Sequence, residues 1–95
     1  MFIIQLQYMA SLEMIDKLLD EHKSFLEKYY AAGIFLLSGR KQPRTGGVIL
    51  ASAENRERIE KIIAEDPFNK HELADYTITE FLPSMSNELF QSLLS

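Results

Sequence analysis

The sequence predicts an α+β domain of the ferredoxin-like type, in which two helices cover one face of a four-stranded antiparallel sheet. Apolar and polar residues alternate in the first segment, two segments with helical periodicity each follow a strand-like run, and the order of elements is β-α-β-β-α-β. The chain has 95 residues, the size of one domain. We predict that this domain covers residues 1–83 and that residues 84–95 form a tail with a short C-terminal helix.

The first strand and the first helix are predicted from their periodicity. Residues 2–9 alternate as in a strand with one strongly apolar face. Ser11 is expected to cap a helix whose apolar residues recur at spacings of three and four up to Ala32. Gly33 follows, and glycine is the usual residue just past a helix end. We therefore expect one continuous helix before the second strand.

The remaining core elements are expected to be a strand pair, a second helix and a last strand, at residues 34–38, 48–51, 54–65 and 75–81. Gly39 is expected to end the second strand, and a loop rich in turn residues then leads into the third. Ser52 can cap the second helix. Pro67 disfavours helical geometry at the preceding residue, so this helix should end near Asp66.

Composition excludes several classes of function. The sequence has no cysteine, which removes disulfides, thiolate metal sites and cysteine nucleophiles. Its net charge of −4 argues against general nucleic-acid binding, and its apolar stretches are too short to span a bilayer. The two histidines lack metal-ligand spacing. We expect a soluble, cytoplasmic domain that uses no metal and no cofactor and does not bind a membrane.

Several strands offer apolar residues to both faces of the predicted sheet: Ile34 and Leu36 against Phe35 and Leu37, and Tyr76 and Ile78 against Phe81. Helices on one side cannot cover both faces, so the other face should expose an apolar patch. We therefore predict a homodimer that packs through these outer sheet faces with two-fold symmetry. The alternative is a monomer with a patchy surface.

Two polar residues stand on apolar helix faces. His22 lies mid-stripe on the first helix, because the neighbouring apolar positions fall within roughly 60° of it around the axis. Asp66 ends the apolar stripe of the second helix, and Phe68 can wall a site beside it. Because both helices cover the same sheet face, the imidazole and the carboxylate can meet, as in general-base sites. The alternatives are a structural His–Asp contact, a core histidine bonded to a backbone carbonyl, or a helix-terminating aspartate that turns to solvent or hydrogen-bonds a nearby loop amide.

The end of the second strand and the following loop offer candidate ligand-binding groups. Ser38 carries a hydroxyl, and Gly39 can let a ligand approach the backbone. Arg40, Lys41 and Arg44 form the densest basic cluster, beside a pair of glycines, and could hold an anionic small molecule. The alternatives are a strand-end serine and a solvated hairpin tip.

Several of these segments also carry a resemblance to a known family, namely His22, the run at residues 33–39, the run at residues 46–50, Asp66-Pro67-Phe68 and the Phe81-Leu82-Pro83 strand end. In these features the chain resembles the YCII-related proteins over about residues 2–83. The resemblance implies a dimeric α+β barrel and an active site on a His–Asp dyad, matched here by His22 and Asp66. One class of relatives is thought to remove chloride from chlorinated hydroquinones. The chain departs from many relatives in having Gly39-Arg40 where they have Gly-Pro.

These observations lead to one functional hypothesis and one rival. The hypothesis is a small acid–base enzyme of the isomerase or lyase type, in which His22 moves a proton and Asp66 orients the ring. Ser38 and the Gly39 backbone would position the substrate, and Arg40 or Arg44 would balance its negative charge. The rival is a non-catalytic ligand-binding or stress-associated dimer with a structural dyad. A cleft that reaches His22 favours the enzyme, and a sealed ring favours the rival.

Overall fold

A computed structural model describes residues 1–94 of the chain. The elements follow in the order β1 (Phe2–Tyr8), α1 (Leu12–Lys17), α2 (Leu19–Ala31), β2 (Phe35–Arg40), β3 (Gly46–Ala51), α3 (Arg56–Ile63), α4 (Pro67–Lys70), β4 (Ala74–Glu80) and a C-terminal 3₁₀ helix (Glu88–Leu94). The strands form one antiparallel sheet in the order β2-β3-β1-β4. This is the predicted ferredoxin-like architecture, and the fold prediction is confirmed.

The core lies between the helices and one face of the sheet. In β1, the alternation of the sequence is realised as buried Phe2, Ile4 and Leu6, while the intervening glutamines are exposed. The helices contribute mainly aromatic and isoleucine side chains to this core, namely Ile15, Phe25, Tyr29, Ile59, Ile62, Ile63 and Phe68. One sheet face is therefore packed against the α-helices, and the other is not.

The first helical segment is two helices rather than the one predicted. The break is at Leu18, whose backbone (φ −106°, ψ 7°) leaves helical geometry and separates α1 from α2. Neither proline nor glycine is present there, so no local sequence signal marks it. The end of the segment is as predicted: Ala32 is the C-cap, and Gly33 takes the left-handed conformation at φ 76°.

The hairpin is longer than predicted. Gly39 does not end β2, because it pairs with Val48, and the next pair joins Arg40 to Gly47. On the other side of β3, Gly46 lies against β1 so closely that a Cβ atom there would be 1.8 Å from the Leu6 carbonyl oxygen. Glycine at this position is thus what lets β3 pair with β1 up to its first residue.

The second helical segment also differs at both ends. Asn55, not Ser52, is the cap of α3, since its side chain accepts a hydrogen bond from the Arg58 amide at 2.9 Å. The helix ends at Ile63, before Asp66, which instead caps the single turn of α4 with Pro67 at its first position. The aspartate thereby belongs to a second helix start rather than to a helix end.

The outer sheet face is apolar at the β2–β3 side. Exposed or half-buried apolar side chains there are Leu37, Val48 and Leu50, and Ile3 of β1 and Phe81 just after β4 extend this patch, whereas glutamine and threonine side chains occupy the rest of β1 and β4. The 3₁₀ helix of the tail borders the apolar side, where a groove of about 260 Å³ runs between them. Ser95, the last residue of the predicted tail, lies outside the described residues. No helix within residues 1–94 is both long and apolar enough to cross a membrane.

Candidate functional site

The structure brings His22 and Asp66 together. His22 lies in the first turns of α2 and faces the core, and Asp66 lies at the start of α4, so the two helices place the side chains opposite each other. His22 Nδ1 is 2.8 Å from Asp66 Oδ1. The imidazole is 12% exposed and the carboxylate is fully buried. This pair is the polar centre of an otherwise apolar core.

The Asp66 carboxylate accepts three hydrogen bonds. Oδ1 is shared by His22 Nδ1 and by the backbone amide of Phe68, the latter at 3.0 Å, and Oδ2 accepts from the Tyr76 hydroxyl at 2.6 Å. Because Pro67 fixes the first turn of α4, the amide of Phe68 points back at the cap, as in other aspartate caps. Both oxygens of the carboxylate thus face hydrogen-bond donors only, as the oxygens of an ionised carboxylate do.

Tyr76 was not singled out by sequence reasoning. Its position in β4 opposite Leu6 turns its side chain to the packed side of the sheet. Burial raises the pKa of its phenol, and the charge of Asp66 raises that pKa further, so the hydroxyl stays protonated and acts as the donor. Strand alternation could have placed Tyr76 on this face, but no local signal tells which polar group its hydroxyl reaches.

The His22 ring is held in one orientation. Phe68 stacks on it, with ring centroids 4.2 Å apart and an angle of 11° between the planes. With Asp66 ionised, Nδ1 carries the proton that it donates, and Nε2 has a free lone pair. Nε2 makes no hydrogen bond with any residue of the described part of the chain. Nε2 of His22 is thus available to accept a proton or a hydrogen bond.

An open cavity of about 150 Å³ adjoins the His22 ring. Its walls are largely aliphatic side chains from α2, β1 and β3. The polar groups that line it come from three elements, β1, α2 and β2, namely Tyr8, His22, Lys23, Ser38 and Arg40. A cleft therefore reaches His22, and it combines an apolar wall with a few polar groups, as small-molecule sites do.

Four of the predicted ligand-binding residues lie at or near this cavity in different ways. Ser38, Gly39 and Arg40 line it. Phe68 does not line it, but it is buried against the His22 ring, which does. The Ser38 hydroxyl is also hydrogen-bonded to the Tyr30 hydroxyl, a contact that sequence reasoning missed.

Arg44, the remaining predicted ligand-binding residue, does not line the cavity. Its guanidinium donates to Asp16 Oδ1 at 2.5 Å, and this hydrogen bond lowers the pKa of the Asp16 carboxyl. The partner lies in α1, 28 positions earlier in the chain, so no local pattern predicts the pairing. Arg44 stays a predicted ligand group without contact to the cavity.

Lys23 supplies a cavity charge that sequence reasoning missed. It follows His22 in α2 and lines the cavity together with Arg40 of β2. Neither side chain forms an ion pair with any residue among positions 1–94. Two unpaired cations thus border a cavity in a chain of net charge −4.

No cluster of three or more metal-ligating side chains occurs within the described residues.

Comparison with known proteins gives a family and a structural neighbour. The family model of the YCII-related domain matches residues 1–82. The fold is similar to that of 5-chloro-2-hydroxyhydroquinone dehydrochlorinase (TftG) from Burkholderia phenoliruptrix AC1100, solved in complex with 2,5-dihydroxybenzoquinone. The TM-score is 0.74 at 20% identity, over 84% of this chain and 91% of the other. No curated protein matches this sequence significantly.

Proposed function

Because this chain belongs to the YCII-related family, we propose that it is a small acid–base enzyme in which His22 transfers a proton and Asp66 orients its ring. One observation carries the proposal: a cavity reaches His22 while a buried carboxylate holds the opposite ring nitrogen. An imidazole fixed in this way is the general-base half of many acid–base sites.

The proposed chemistry is proton transfer at Nε2. The lone pair of Nε2 takes a proton from the substrate, and Asp66 stabilises the imidazolium that forms. In an isomerisation the ring returns the proton to another substrate atom. In an elimination the electron pair left behind expels a leaving group from the neighbouring carbon. Both reactions need only side chains that this chain supplies.

We propose that the substrate is a small cyclic or aromatic anion. A volume near 150 Å³ accepts a single aromatic ring. Lys23 and Arg40 offer unpaired positive charge, and Ser38 and the Gly39 backbone offer hydrogen bonds at the same cavity. The structural neighbour, a dehydrochlorinase bound to a dihydroxylated quinone ring, supports a substrate of this class.

We further propose that the protein acts as a cytoplasmic homodimer. The apolar part of the outer sheet face supports this assembly, because α1 to α4 lie on the other face and leave Leu37, Val48 and Leu50 exposed or half-buried, with the 3₁₀ helix of the tail beside them. A second copy of the same face would bury these side chains around a two-fold axis.

The rival function, a ligand-binding dimer with a structural dyad, is favoured by a separate observation. His22 is only 12% exposed and its partner carboxylate has all its bonds inside the protein, which is also what a purely structural pair needs. The two functions differ in what happens to a bound molecule. The enzyme transforms it, and the binding protein releases it unchanged.

A titration of ¹⁵N-labelled protein tests the proposal. The probes are 2,5-dihydroxybenzoquinone and benzoate, with neutral benzyl alcohol as the matched control. The anions are expected to shift the amide resonances of Ser38, Gly39 and Gly47 and the ring resonances of His22, while benzyl alcohol binds more weakly. Shifts confined to the groove beside the tail, or no shift at all, would contradict the site.

Turnover decides between the enzyme and the binding protein. Each ring compound that binds is incubated with the protein in D₂O and examined for new products and for deuterium on carbon. If the protein is an enzyme, either a new product or deuterium on a carbon atom of the ring compound should be observed. The rival predicts binding with neither.

A further inference from the structure

Tyr76 makes a contact that the proposed proton transfer does not by itself explain. Its hydroxyl lies 2.6 Å from Asp66 Oδ2, on the far side of the carboxylate from His22. The side chain reaches this point from β4, whereas the other two donors come from α2 and from the start of α4. Tyr76 is thus the only sheet residue among positions 1–94 that is bonded to Asp66.

The hydrogen bond from Tyr76 restrains the Asp66 carboxylate in a way that the bonds from His22 and Phe68 do not. His22 and the Phe68 amide both bind Oδ1, so they anchor one oxygen but leave the other free to swing about it. The Tyr76 hydroxyl holds Oδ2 and thereby sets the plane of the carboxylate. It also keeps Oδ2 from becoming an alternative acceptor for the His22 proton.

We propose that Tyr76 is a positioning residue, which locks the Asp66 carboxylate so that His22 keeps its proton on Nδ1 and turns the Nε2 lone pair to the cavity. This inference rests on the proposed function, because the tautomer matters only if Nε2 accepts a proton from a substrate. It adds a residue on the sheet to a dyad whose two members lie on α2 and at the start of α4.

The structure offers a matched control in Tyr29. This tyrosine is 4% exposed and its hydroxyl donates to Glu65 Oε2, a carboxylate next to Asp66 in the sequence but outside the dyad. Tyr29→Phe and Tyr76→Phe therefore each remove one phenol–carboxylate hydrogen bond. Only the second removes it from the carboxylate that binds His22.

The test is the tautomer of His22, read from its ring ¹⁵N shifts at a pH where the ring is neutral. Wild type and Tyr29→Phe should both show His22 with Nδ1 protonated and Nε2 unprotonated. Tyr76→Phe should show a mixture of the two tautomers. If Tyr76→Phe keeps the wild-type tautomer and only melts at a lower temperature, Tyr76 is structural and the proposal is overturned.

Two further outcomes are distinguishable. A wild-type protein with the proton on Nε2 would overturn the general-base role of His22 itself, independently of Tyr76. If Tyr76→Phe does not fold, wild-type protein carrying 3-fluorotyrosine replaces it, assigned at position 76. The more acidic phenol should move the His22 Nδ1 proton resonance, and an unmoved resonance would overturn the proposal.

Discussion

Replacement of Asp66 by alanine is expected to destabilise the domain severely. The substitution removes the acceptor of three donors, on His22, Phe68 and Tyr76, all in the protein interior. A buried donor left without a partner costs about 1–3 kcal/mol, so the three together cost about 3–9 kcal/mol. Loss of the buried charge offsets part of this, and we expect about 3–6 kcal/mol. Domains of this size have only about 5–15 kcal/mol of stability in total.

Asparagine at the same position should cost less. Its oxygen can still accept from His22 and Phe68, but its NH₂ group faces Tyr76, whose hydroxyl hydrogen then has no acceptor. One unsatisfied donor predicts a loss of about 1–3 kcal/mol. Urea unfolding followed by circular dichroism measures both variants, with Asp75→Ala, an exposed aspartate in β4, as the control. Losses below about 1 kcal/mol for Asp66→Ala would refute the three-bond account.

Three other predictions concern the outer sheet face, the Glu65 carboxylate and the cavity. Light scattering should detect wild type as a homodimer of about twice the chain mass, and Phe81→Glu on the outer sheet face should weaken this dimer. A wild-type protein that stays monomeric would contradict the proposed dimer. Hydrogen bonds from Lys28 and a tyrosine hydroxyl hold the pKa of Glu65 below its ordinary value of 4.5, so the stability that Glu65 contributes is complete above that value and is lost as pH falls through the lowered pKa. The difference in melting temperature between wild type and Glu65→Gln should therefore shrink from about pH 6 to about pH 3, and a constant difference would count against the pairing. Arg40→Ala should weaken benzoate binding in a salt-dependent way and more than substitution of the ion-paired Arg44, and equal effects would remove Arg40 from the site.

The fold was accessible from the sequence because its signals are local. Alternation in β1, the left-handed Gly33 and Pro67 each constrain their own neighbourhood, and together they give the order of elements. The break at Leu18 was missed because no proline or glycine marks it in the sequence. The end of the second strand was wrongly predicted at Gly39, because a glycine can pair within a sheet as well as end a strand.

The candidate site was accessible only in part. Helical periodicity predicted that His22 faces the sheet, and the structure agrees. The same argument predicted Asp66 on the apolar stripe of the second helix, but that helix ends at Ile63 and Asp66 is buried as the cap of α4 instead. Tyr76 could not be assigned in the same way, because its role depends on where a hydroxyl at the end of a long side chain arrives. The pairing of Arg44 with Asp16 is likewise a contact between distant segments that no spacing encodes.

The most direct test of the account is the turnover of a small cyclic anion by the His22→Asn variant, compared with wild type and with His71→Asn at the exposed histidine. General acid–base catalysis contributes about 10²–10⁴-fold to a rate, so His22→Asn should lose turnover by that factor while it stays folded and still binds the anion. His71→Asn should match wild type. Turnover by His22→Asn at the wild-type rate would contradict the account, because the proton would then be moved by another group.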